Sequence, residues 1–140
     1  MLDRRAFLTG TALSSAAALP EGWETGAANS DAELLAAWNG FVKACRARDD
    51  SAEDWTEVED DAHTPVVDSF RAALEEFPAS TAAGLAVKLR YLFASSCGSV
   101  AAFAAAVYGA PITDDMLADP CDRMLWGMIE DAECMAGIIR

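Results

Sequence analysis

Phe77-Pro78-Ala79-Ser80-Thr81-Ala82-Ala83-Gly84-Leu85-Ala86-Val87-Lys88-Leu89-Arg90-Tyr91-Leu92-Phe93-Ala94 is the stretch that sets the architecture. Pro78 has a fixed φ and no amide hydrogen, so a helix arriving from the N-terminal side ends before it. Ser80 or Thr81 can accept a hydrogen bond from an orphan amide and start the next helix. Leu85, Leu89 and Leu92 recur at helical spacing, with Ala82 before them and Phe93 alongside. That pattern predicts one buried face, with Lys88 and Arg90 flanking it. Gly84 falls in the first turn, where a missing side chain lets a neighbouring helix come close.

Past Arg90 no charge occurs until Asp114. About 20 apolar residues would cross a bilayer, but Ser95, Ser96, Gly98 and Ser99 interrupt this run and most of the remainder is alanine. Alanine adds little transfer energy, so the reading is a core helix with a break near Gly98 rather than a membrane span. Ala94, Gly98, Ala102 and Ala106 are spaced by four. On a helix they form a ridge of small side chains that lets another helix approach. With an aromatic patch around Trp23, Trp38 and Trp126, this ridge is the candidate interaction surface.

Upstream, Ser30-Asp31-Ala32-Glu33 matches a capping box and predicts a helix start. Leu34, Trp38, Phe41, Val42 and Cys45 mark the buried side, and Lys43, Arg46 and Arg48 complement the helix dipole in the last turns. After a turn at Asp49-Asp50-Ser51, Ser51 or Asp54 can cap a second helix. Its stripe is Trp55, Val58, Ala62, Val66, Phe70, Leu74 and Phe77. The period survives across Pro65, which predicts one long kinked helix in preference to a restart with Thr64 as cap. Downstream, Asp119 caps a closing helix with Pro120 at its first position. Its stripe is Cys121, Leu125, Met128, Ile129, Ala132, Ala136 and Ile139, widened by Trp126 and Met135.

The chain of 140 residues is long enough for one domain with its own core. It is rich in Ala, Leu, Glu and Asp and lacks paired turn signals at strand spacing, which predicts an all-α fold. The expected organisation is a signal at residues 1–20, a Gly-containing linker at 21–30, and one helical domain at 31–140, a bundle of three to four helices.

Residues 1–20 have the three-part layout of an export signal: two arginines, an uncharged segment, then Ala16-Ala17-Ala18. Arg4-Arg5-Ala6-Phe7-Leu8 resembles the twin-arginine translocation motif, in which Arg-Arg is followed by any residue, then Phe and Leu. The resemblance implies a periplasmic destination; the alternative is a cytoplasmic protein whose first helix packs on the domain. The order of elements and the Pro78–Arg90 segment also resemble a loose group of small, uncharacterised proteobacterial proteins. Many of them start with a twin-arginine signal and carry a Thr-Pro-Ala-Thr-Thr-x-Ala-Gly-Leu-Ala-x-Lys-Leu-Arg segment. The likeness covers most of the chain, with Ser95–Ile112 standing out as extra material. It implies the fold and export, and no activity or catalytic residue.

Charge excludes one partner class. The chain has 10 basic and 23 acidic residues, a net charge of −13. Such a surface repels phosphate backbones and anionic lipid, so no nucleic-acid partner is expected and the membrane matters only during transit. A basic partner is steered towards it.

Candidate chemistry is sparse. Cys45, Cys97, Cys121 and Cys134 lack the close paired spacing of a structural zinc site. Cys121 and Cys134 stand about 20 Å apart along one helix and cannot bridge each other. Buried reduced thiols are expected, with a bridge between different helices, such as one from Cys45, as the alternative. His63 is the only histidine. Glu59 and Asp60 precede it by one helical turn and are the only candidate metal ligands beside it. A di-iron bundle site needs a second Glu-x-x-His copy, so a solvated acidic face is expected, with no metal and no cofactor. Gly-x-Ser-x-Gly, phosphate-cradling and dinucleotide-binding patterns are missing from the sequence. The expected function is therefore non-enzymatic, by binding a protein partner or by self-association. A small helical metal protein or enzyme using Asp60 and His63, or a membrane-associated protein, is the alternative.

Overall fold

The computed structural model describes residues 31–138 and is all-helical, with five helices among them. They are α1 Ala32–Asp50, α2 Glu57–Glu76, α3 Ala82–Ser96, α4 Val100–Tyr108 and α5 Pro120–Met135. The proposed signal residues Arg4, Arg5, Phe7 and Leu8, and also Trp23, Ser30 and Ile139, lie outside the described residues.

The helix count exceeds the expected three to four because the alanine-rich run is two helices. α3 ends at Ser96, Cys97 turns extended, and Ser99 caps α4 by accepting from the Ala102 amide. A serine hydroxyl at that position satisfies an orphan donor and so favours a new start over continuation.

Two expected caps are displaced. The first residue before α1 is Asp31, and it makes no side-chain cap bond to that helix. Its carboxylate instead accepts the amides of Ser80 and Thr81 at 2.8 and 2.9 Å, and the Thr81 hydroxyl as well. Thr81 in turn caps α3 by accepting from the Gly84 amide. Gly84 is therefore needed for a close approach, but by the Asp31 carboxylate rather than by another helix: a Cβ there would collide with Asp31 Oδ2. The second displaced cap is Thr56, in place of Ser51 or Asp54. Thr56 and Glu59 form a complete capping box, each side chain bonding the other's amide.

α2 runs through Pro65 as one helix. Its buried side is one residue out of the expected register over its first half. His63 and Val67 face inward where Ala62 and Val66 were expected, and Val58 is exposed. Two adjacent valines make the period ambiguous there, and His63 can turn inward because its Nε2 donates to the Ala44 carbonyl at 2.9 Å. A satisfied polar ring is tolerated at a half-buried position. Gly40 of α1 lies under the Phe70 ring of α2, and a Cβ there would overlap it. Gly40→Ala is therefore expected to lower stability by about 1–3 kcal/mol through overpacking, although alanine is the better helix former by about 1 kcal/mol. Urea denaturation measures it, and a stabilised variant would show that the ring moves aside freely.

α3 is the central element, packing most extensively on α5 and also on α4, α1 and α2. Its core side is Ala86, Val87, Leu89, Phe93 and Ala94, together with Arg90, which is 5% exposed. Arg90 was expected to flank the apolar stripe, and Leu85 and Leu92 to lie within it. The structure reverses this, with Leu85 and Leu92 on the solvent side. Arg90 can enter because Glu133 of α5 accepts from its Nε, while Nη1 donates to the Ala105 and Ala106 carbonyls of α4. Phe93 meets Trp126 edge to face at 5.1 Å beside this pair. On α5, Asp119 caps as expected, accepting from the Cys121 amide. Trp126, Ile129 and Ala132 carry the packing.

Candidate functional site

Two surfaces can be weighed as functional. The first is a cleft of about 560 Å³ between α1, α2 and the α3–α4 corner, with Cys45, Arg48, His63, Arg71, Cys97 and Phe103 among its walls. The second is the outer side of α5.

The cleft brings together Asp60 and His63 of the sequence's candidate ligands and leaves Glu59 outside it, and each of the three has a structural task. Asp60 pairs with Arg48 Nε at 3.1 Å and accepts from Trp55 Nε1 at 3.2 Å. His63 bonds Ala44 and meets the Trp55 ring edge to face at 5.1 Å. Glu59 is held in the capping box. Among the described residues no three of His, Cys, Asp and Glu are grouped so as to hold a metal ion. Glu57, Glu59 and Asp61 stand on a solvated acidic face as expected, while His63 is half-buried and, with the Arg48–Asp60 pair, ties α2 to α1.

The titration directions in the cleft follow from burial. Burial pushes the Cys45 thiol up, helped by the Asp49 charge and opposed by Arg71 and Arg48. Burial does the same to Cys97. Both thiols are therefore kept protonated at neutral pH, the less nucleophilic form. Tyr108 is held protonated by burial and by its hydrogen bond to Asp49. The chemistry that the cleft offers is hydrogen bonding and fixed charge. All four cysteines are free, with Cys121 and Cys134 exposed on α5 and Cys45 and Cys97 half-buried.

Glu59 gives a pH-dependent signature. Its bonds to the Thr56 side chain and amide lower its pKa from 4.5. A folded-state value below the unfolded one means that its contribution is complete above the ordinary glutamate range and fades as pH falls through the lowered value. Glu59→Gln should therefore differ from wild type in urea midpoint at neutral pH and converge with it in strong acid. A constant difference across that range would place the effect elsewhere.

The expected interaction residues are mostly inside the fold. Ala94, Ala102 and Ala106 belong to the core, and Trp126 is 4% exposed. Trp38 is half-buried and stacks on Phe41 at 5.9 Å. Gly98 is exposed in the α3–α4 corner, so the expected ridge is divided between two helices.

Exposed apolar side chains occur on several helices, among them Val58, Leu92 and Val100, and α5 carries three in one line. Met124, Met128 and Met135 are 66%, 47% and 56% exposed. At i, i+4 and i+11 they share one stripe of the helix, with Cys121 and Asp131 in the same stripe. Trp126, Ile129 and Glu133 occupy the other, buried side, and Ala132 is buried at the edge of the stripe, one turn from Met128. The spacing of the three methionines was legible, but an apolar residue at helical spacing reads as core unless a second stripe is sought. Among the described residues no helix is long and apolar enough to cross a membrane.

Fold and surfaces together define a small all-α protein with a methionine-bearing outer helix. No protein-family model matches the chain, and no curated protein and no solved structure matches it.

Proposed function

We propose that this chain is an exported, non-enzymatic helical protein that acts by binding another protein through the outer side of α5. The observation that carries the reading is the triad Met124, Met128 and Met135, exposed in one stripe on a chain of net charge −13. Methionine is flexible and polarizable, adapts to a facing surface, and is enriched at protein interfaces. Apolar side chains left in water along one line of a helix are a cost that a partner would relieve. The twin-arginine-like Arg4-Arg5-Ala6-Phe7-Leu8 supports the export half of the reading.

A photo-crosslinking residue placed at Met128 in the producing cells tests the binding half. A discrete adduct heavier than the chain, lost when Met124 and Met135 are both changed to serine, is expected. Uncrosslinked chain alone would overturn the reading. Intact mass of periplasmic and cytoplasmic fractions tests export. The expected periplasmic species is shortened by roughly 18–30 residues, the span in which signals end. A full-length cytoplasmic species would remove the export half.

A further inference from the structure

Resting on that reading of α5, we infer that the occupant of the methionine stripe is an amphipathic helix with a basic flank, supplied by a different protein rather than by a second copy of this chain. Shape gives the first half. Met124 to Met135 spans about 16 Å along the helix axis, which matches the few turns over which i, i+3/i+4 and i+7 anchors of a docked helix make contact. Gly127, one turn from both Met124 and Asp131, has nothing within 4 Å of where a Cβ would stand. It leaves a shallow depression at the edge of the stripe that a partner side chain can enter.

Charge gives the second half. Asp131 sits within the stripe itself, between Met128 and Met135, and is exposed. The whole chain carries 23 acidic against 10 basic residues, a net charge of −13. A second copy would bring two chains of that charge together, and like charge disfavours the pairing. A helix with lysine or arginine along its flank places opposite charge against Asp131. The apolar stripe and the charge therefore select the same occupant.

The probe is a synthetic amphipathic peptide of about four helical turns, with leucines at i, i+3/i+4 spacing and lysines along the flank. A second peptide carries glutamates in place of the lysines. Both are titrated into the full chain by fluorescence anisotropy, and the chain alone is examined by sedimentation equilibrium. The lysine peptide should bind at least about tenfold more tightly than the glutamate peptide, and less tightly as salt rises. Met128→Ser and Asp131→Lys should each weaken it by about tenfold, with circular dichroism unchanged because both positions are exposed. Val58→Ser, exposed on α2, should leave binding alone. Equal binding of the two peptides, or binding untouched by Met128→Ser, would overturn the inference. So would a dimer of the chain that Met128→Ser dissociates, which would make the stripe a self-interface. A crosslinked adduct at Met128 that the lysine peptide fails to displace would sink the partner class while leaving protein binding in place.

Discussion

Arg90→Ala is expected to lower stability by about 3–5 kcal/mol, the range for removing one partner of a buried ion pair. The arginine side chain is 7% and the Glu133 side chain 8% exposed, so neither charge is returned to bulk water when its counter-ion is lost. The truncation removes more than the pair. Nη1 donates to the carbonyls of Ala105 and Ala106 at the end of α4, where a helix leaves carbonyls without intrahelical partners and where positive charge complements the dipole. The guanidinium also lies over the Trp126 ring, with Cζ 5.4 Å from its centroid, so its planar stem fills space between α3 and α5. Urea denaturation followed by circular dichroism gives the measurement. A loss below about 1 kcal/mol would be that of an exposed pair, and would mean that water reaches the site. The double replacement of Arg90 by Met and Glu133 by Leu should recover most of the loss, because an apolar pair of similar volume has no desolvation penalty. If the double variant is as unstable as the single one, the bonds to Ala105 and Ala106 carry the effect instead of the ion pair.

This pair marks the limit of what periodicity reveals. Local signals gave the cap at Asp119, a cap at Ser80 or Thr81 of which Thr81 is the one used, the stop at Pro78, the passage of α2 through Pro65 and the all-α class, because each depends on neighbours close in the sequence. The Thr56-x-x-Glu59 box is equally local, and it outcompetes Ser51 and Asp54 because both halves of the box form. Arg90 with Glu133, and Asp31 with Ser80 and Thr81, join residues more than forty positions apart. No local pattern predicts them. They also invert the rule that charge marks the outside, since a buried charge is stable where a specific counter-ion and donors meet it. The opposite error occurred on α5. Placing every apolar residue of a helix in its core side put Met128 and Met135 inside, whereas apolar exposure is common and becomes informative when it forms a stripe. The candidate site was thus legible as residue types at a spacing, and illegible as a surface until the core had been assigned.

The second large effect concerns Asp31 and Gly84, and its test is a change of sign. Asp31 is fully buried, and its carboxylate takes the Ser80 and Thr81 amides and the Thr81 hydroxyl. It thereby fastens the start of α1 to the start of α3. Hydrogen bonds to a charged group contribute about 1.5–3 kcal/mol each, and stranding two buried amides adds to the loss. Asp31→Ala is expected to destabilise by about 3–5 kcal/mol, within the range for breaking a buried hydrogen-bond network. Gly84→Ala attacks the same contact from the other side, since the added Cβ would occupy the position of Oδ2. The carboxylate must then withdraw from the amides, at a cost of about 2–4 kcal/mol from overpacking and weakened bonds together. Once Asp31 is alanine, the space opposite Gly84 is open. In that background Gly84→Ala should be neutral or stabilising by up to about 1 kcal/mol, the helix-propensity gain of alanine over glycine. A double-mutant cycle by urea denaturation reads the coupling directly. Additive losses would mean that Gly84 is required by something other than the carboxylate. Losses that cancel would establish that this glycine serves the side chain at the start of α1, and that the two helix starts are energetically coupled.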